Sequence, residues 1–90
     1  MPLDIEWSDE ARADVRRLDK IIAQRIFTGL LRFARTGQGD IKQLQAVTGS
    51  YREKRLGRSP LRVGDYRVFV SQTGQTLRIH SVRHRREAYR

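Results

Sequence analysis

The C-terminal half of the chain alternates apolar and polar residues with a period of two, and glycine interrupts the alternation at short intervals. Leu61 and Val63 flank Arg62, Gly64-Asp65 supplies a turn, Val68 and Val70 alternate with Arg67 and Phe69, Thr73-Gly74-Gln75 turns again, and Leu77 and Ile79 alternate with Arg78 and His80. Strands half-buried on one face and joined by tight turns produce this spacing, whereas a helix needs a period of 3.6. The pattern predicts a three-stranded antiparallel meander. Pro60 has no N–H to donate, so it belongs just ahead of the first strand or on a sheet edge.

The N-terminal half reads differently. Leu3, Ile5 and Trp7 alternate with Asp4 and Glu6, which predicts one strand. Ser8 then serves as a helix N-cap, with Asp9 and Glu10 placed to favour the helix dipole. Ala11, Val15 and Leu18 follow at helical spacing. After Asp19 a second helical pattern runs through Ile22, Ile26, Leu30, Phe33 and Ala34 to Gly37. Gly29 inside it costs about 1 kcal/mol relative to alanine and so marks close packing against a neighbour. Gly37, Gly39 and Asp40 form a loop, Ile41 to Leu44 add a short turn, and Thr48-Gly49-Ser50 breaks the chain before the meander. The expected fold class is α+β: an N-terminal strand, a two-helix hairpin, then an antiparallel β-meander, all in one small sheet. Ninety residues without an internal repeat or linker make this one domain, residues 1–90.

Composition narrows the chemistry. Cysteine is absent, which excludes disulfides, thiolate metal sites and a cysteine nucleophile. Apolar runs reach two or three residues, far below the roughly 20 that span a bilayer, and the first residues have no signal-peptide character. A soluble, cytoplasmic protein without a membrane partner is expected. Nineteen Lys plus Arg against ten Asp plus Glu leave a net charge of +9, and sixteen of the bases are arginine. The charge is lopsided: residues 1–51 carry eight bases and seven acids, residues 52–90 eleven bases and three acids. The meander half therefore presents a cationic surface suited to a polyanion, and arginine offers that partner a planar fork and a stacking surface. A solvated basic face is the alternative.

Conventional sites are missing from the pattern. Asp9, Glu10 and Asp14 sit in or beside a first helical turn and read as dipole-stabilising residues on a solvated face. His80 and His84 have no third ligand, so no metal is expected. The serines lack a nucleophile motif and the glycines form no phosphate loop. What remains is Arg58, Arg62, Arg67, Arg78, Arg83, Arg85 and Arg86 with His80, His84, Tyr66 and Tyr89. Such a set can cleave RNA without metal or cofactor, because RNA supplies its own 2′-hydroxyl nucleophile. The protein needs a proton acceptor, cations for the phosphorane and a donor for the leaving oxygen.

The order of elements, the segment Leu61-Arg62-Val63-Gly64-Asp65-Tyr66-Arg67-Val68-Phe69-Val70 and the ending Ile79-His80-Ser81-Val82-Arg83-His84-Arg85-Arg86-Glu87-Ala88-Tyr89 resemble the RelE/ParE superfamily of type II toxins over essentially the whole chain. RelE-like members cleave messenger RNA on the ribosome, and ParE-like members inhibit DNA gyrase without chemistry of their own. The resemblance implies a cognate antitoxin as partner, with the ribosome and mRNA as target. It places Arg58, Arg62, Arg67, Arg83 and Tyr89 on the active surface. Arg67 would stabilise the phosphorane, Arg83 would assist the leaving oxygen, and Tyr89 would stack on a base or join the proton transfer. His84 is a further acid or base. Lys54, Arg58, Arg62, Arg78, Arg85 and Arg86 would bind RNA. The chain departs from the pattern at Pro60, where some RelE members carry a lysine that accepts a proton, and either Lys54 or His84 is then left for that task. The ribonuclease reading is preferred; a gyrase inhibitor and a plain basic RNA- or protein-binding module are the alternatives.

Overall fold

In the computed structural model, which describes residues 2–41 and 56–87, the alternation of Leu3, Ile5 and Trp7 forms β1 (Asp4–Trp7). Ser8 turns the chain into α1 (Asp9–Arg16), its side chain accepting from the Ala11 amide at 3.0 Å. The longer helix α2 (Lys20–Thr36) ends on Gly37, whose φ of 74° is the left-handed conformation that a helix C-terminus favours. A two-residue strand β2 (Asp40–Ile41) follows, where the sequence suggests only loop and turn. The meander then runs as predicted through β3 (Ser59–Val63), β4 (Tyr66–Thr73) and β5 (Thr76–His84).

The sheet order is β1-β5-β4-β3-β2. All neighbouring pairs are antiparallel except β1 with β5, which run parallel with Asp4 opposite Thr76 and Trp7 opposite Ile79. Pro60 lies inside β3 opposite Phe69 rather than ahead of the strand, and among the described residues β2 pairs with Leu61 and Arg62.

Both helices cover one face of the sheet. Ile26, Leu30 and Ala34 of α2 and Ala11 of α1 bury against Leu61, Val68, Val70, Leu77, Ile79 and Val82. Removing a side chain such as Ile26 or Leu30 from water contributes roughly 1.5–3 kcal/mol. A Cβ on Gly29 would come within 3.0 Å of Val63 Cγ2, so α2 lies on β3 as closely as the glycine suggested.

Because β1 stops at Trp7, the edge of β5 beyond Ile79 is left to α1. The Ser8 amide donates to the Ile79 carbonyl (2.9 Å), the Ser8 hydroxyl to the His80 carbonyl (2.7 Å), and the Val82 amide to Asp14 Oδ2 (2.9 Å). Asp14 is thus no solvated dipole residue: it is 7% exposed and completes the sheet edge. Among the described residues no helix is long and apolar enough to cross a membrane.

Candidate functional site

The opposite face of the sheet carries no described helix, and the register of the strands decides what stands on it. Val68 and Val70 point into the core, so Arg67, Phe69 and Ser71 point the other way. Cross-strand pairing then sets Arg62 opposite Arg67 and Arg67 opposite Arg83, three arginines in one row over three adjacent strands. Like charges placed directly opposite each other are unfavourable, so the row has to be balanced. At one end Asp40 is the register partner of Arg62. At the other, Arg83 reaches round the sheet edge to α1, donating to Asp14 Oδ2 at 2.5 Å and to Glu10. Arg67, in the middle, is 7% exposed. One terminal nitrogen donates to the Tyr66 carbonyl at 3.2 Å and Nε is buried without a partner. Among the described residues no carboxylate pairs with it. A buried guanidinium without a carboxylate partner among the described residues has capacity left for an anion.

Next to this row lies an uncharged one, Pro60, Phe69 and Ser81, all buried. Beyond it the face becomes polar again. Ser71 is opposite Arg78, and Arg78 pairs with Glu6 of β1. Between the Phe69–Ser81 and Val70–Ile79 pairs the register shifts, because β5 spends an extra residue, His80, in a β-bulge. The bulge turns His80 onto the arginine face, where Nε2 lies 2.7 Å from Ser71 Oγ. Its pKa is lowered from the ordinary value near 6.5, first by burial and then by the charges of Arg58 and Arg78, with Glu10 acting in the opposite sense.

The candidates read from the sequence separate accordingly. Arg62, Arg67 and Arg83 share one face, and Arg58 and Arg78 are close enough to His80 to influence its charge. His84 is the register partner of Tyr66 and meets its ring edge-on at 5.3 Å, on the side of the sheet opposite Arg67. Its Nδ1 accepts from the Arg86 amide at 3.2 Å. Arg85 and Arg86 are exposed near the Gly64-Asp65 turn, with the Arg85 amide donating to the Asp65 carbonyl at 2.7 Å. Lys54 and Tyr89 lie outside the described residues. Both terminal nitrogens of Arg83 are held by α1, so any contact of that side chain with a leaving oxygen requires those bonds to open.

Sequence reasoning undervalued two residues. Asp14 carried a readable signal: with Ala11, Val15 and Leu18 it falls on the apolar stripe of α1, where a carboxylate must find a partner. His80 carried none, because nothing in Ile79-His80-Ser81-Val82 marks which residue the opposite strand will skip.

Comparison with known proteins fits this architecture. The profile of the ParE toxin of type II toxin-antitoxin system, parDE, matches residues 5–89. A chain of the RelBE2 toxin-antitoxin complex from Mycobacterium tuberculosis is 22% identical, with a TM-score of 0.74 over 93% of this chain and 92% of that one. A chain of the archaeal RelE-RelB complex from Pyrococcus horikoshii is 18% identical, with a TM-score of 0.72 over 98% of this chain and 100% of that one. A chain of the YoeB-YefM complex from Staphylococcus aureus is 18% identical, with a TM-score of 0.68 over 93% and 98%. No match is found among curated proteins.

Proposed function

Because the chain belongs to the ParE toxin family of type II toxin-antitoxin systems, within the RelE/ParE superfamily, we propose that it is a toxin that cuts messenger RNA on the ribosome and is held in check by a cognate antitoxin. The observation that carries this reading is Arg67: a guanidinium 7% exposed, without a carboxylate partner among the described residues, between two further arginines on a sheet face free of described helices. A phosphodiester would supply the missing negative charge, and a phosphorane, with more charge, would be held more tightly still.

In this reading Arg67 stabilises the phosphorane, and Arg58, Arg62 and Arg78 hold neighbouring phosphates. Arg85 and Arg86 extend the cationic surface beyond the turn, and Lys54 is a further RNA-binding cation. Tyr89 stacks on a base or joins the proton transfer. His84, on the other side of the sheet from Arg67, would act as an acid or base only if the message also reached the Tyr66 side of the turn. Arg83 fixes the row from behind, its own charge balanced by Asp14 and Glu10. The chemistry needs no metal because the RNA provides the nucleophile.

The antitoxin would lie on α2. Ile21, Phe27 and Leu31 are 65%, 47% and 44% exposed on this helix, Ile21 beside Arg25 and Arg32 and Phe27 edge-on to Trp7, and the helix holds no acidic residue. An amphipathic acidic segment fits that surface. The solved relatives named above are all complexes of a toxin with its antitoxin.

One observation favours a second reading: the matching profile is that of ParE, and a ParE-like toxin would inhibit DNA gyrase without chemistry of its own. The two separate in a purified translation reaction with a defined message. Cleavage of that message only when ribosomes are present supports the ribonuclease. Intact message together with inhibited gyrase supercoiling replaces it with the gyrase reading.

A further inference from the structure

The chain has Pro60 where some RelE members carry a proton-accepting lysine, yet an imidazole stands two strands away on the same face. We propose that His80, held by Ser71, is the group that takes the proton from the attacking 2′-hydroxyl; the proposal rests on the ribonuclease reading. Three observations carry it. His80 is the extra residue of the β5 bulge, and the bulge is what turns its ring towards the arginine face. Its carbonyl, released from the ladder by the bulge, is taken up by the Ser8 hydroxyl at 2.7 Å, so the distortion is anchored from the β1–α1 corner. Its Nε2 lies 2.7 Å from Ser71 Oγ.

With Nε2–H donating to Ser71 Oγ, the lone pair sits on Nδ1, which has no partner among the described residues. This is the arrangement of a base oriented by a second group. The groups that act on the ring are Ser71 from β4, Arg78 from β5, Arg58 from ahead of β3 and Glu10 from α1, while Glu6 of β1 pairs with Arg78 and Ser8 holds the His80 carbonyl. Burial and the two arginines keep the imidazole neutral at neutral pH, against the opposing pull of Glu10.

The step balances. The 2′-hydroxyl proton passes to Nδ1 as the 2′-oxygen forms its bond to phosphorus. The bond from phosphorus to the 5′-oxygen of the next nucleotide breaks with its electron pair, and that oxygen takes a proton from water. The products are a 2′,3′-cyclic phosphate and a 5′-hydroxyl, and His80 returns its proton to solvent. Arg58 and Arg78 stand beside the ring, where they would hold the phosphates flanking the one under attack.

The test is single-turnover cleavage of ribosome-bound message by the purified protein from about pH 5 to 8. The parent should show a rising limb centred below the ordinary imidazole value of about 6.5. His80→Ala, and His80→Gln, which can still bond Ser71 but cannot carry the proton, should both lose about 10²-fold in rate and lose that limb. Ser71→Ala should cost less and move the limb, and Ser71→Thr should restore it. Thermal unfolding of each variant identifies any loss that comes from misfolding, and His80→Gln then decides. An active parent with His80→Gln at parental rate, or with weakened ribosome binding but an unchanged limb, overturns the proposal and leaves the ribonuclease reading standing. A parent that cleaves no message overturns both.

Discussion

Replacing Asp14 with alanine tests how α1 is fastened to the sheet. Its carboxylate is 7% exposed and accepts from the Val82 amide at 2.9 Å and from Arg83 at 2.5 Å. Without it the Val82 N–H, on a residue 5% exposed, has no acceptor, and an unsatisfied buried donor costs about 1–3 kcal/mol. Arg83 retains Glu10 and its side chain is 32% exposed, so the lost pair adds at most about 1 kcal/mol after screening. The expected destabilisation is therefore about 2–4 kcal/mol, a large share of the roughly 5–15 kcal/mol that holds a domain together. In a chain of this length that lowers Tm by about 10–25 °C. Asp14→Asn keeps an oxygen for the Val82 amide and loses only the charge, so it should cost about 1 kcal/mol. Urea and thermal unfolding followed by circular dichroism measure both. If Asp14→Ala unfolds within about 0.5 kcal/mol of the parent, or if Asn is as damaging as Ala, the edge bond does not hold α1 as argued.

Arg67→Met removes a buried donor without a partner and one member of a row of like charges, so Tm should hold or rise while message cleavage falls by about 10²-fold; a fall in both would make Arg67 a structural residue. Gly29→Ala gains about 1 kcal/mol of helix propensity but sets its Cβ 3.0 Å from Val63 Cγ2, and unfolding should show no net stabilisation. Adding Val63→Ala should recover the helix gain against its own single-mutant background. Antitoxin association, followed by stopped flow, should slow steeply as salt rises, because a chain at +9 steers an acidic partner; an on-rate indifferent to salt would contradict charge-led recognition.

Local rules carried most of the fold. The β1 alternation, the Ser8 cap, the Gly37 stop and the three meander strands appear where sequence spacing put them, because each depends on residues within a turn or two of itself. The site was less legible because it depends on register. Arg67 could be placed on the face opposite Val68 by alternation, but its burial could not be foreseen, since that requires knowing that Arg62 and Arg83 flank it. His84 drew attention through its place near the end of the chain, yet its pairing with Tyr66 sets it on the other side of the sheet. His80 looked like an ordinary strand residue until the shift between Phe69 and Val70 made it the unpaired one.

The parallel pairing of β1 with β5 also governs timing. Ser8 and His80 are 72 residues apart, and the first described strand adds to the sheet only through the last one. Closing so long a loop has an entropic cost that local contacts cannot offset in advance, and topologies of this kind fold slowly. During synthesis, β3 and β4 can pair as soon as both have emerged, but β1 and α1 find no edge to dock on until β5 exists. The row of arginines and the bulge that presents His80 are consequently completed last, so a nascent chain lacks this candidate site until β5 has been translated.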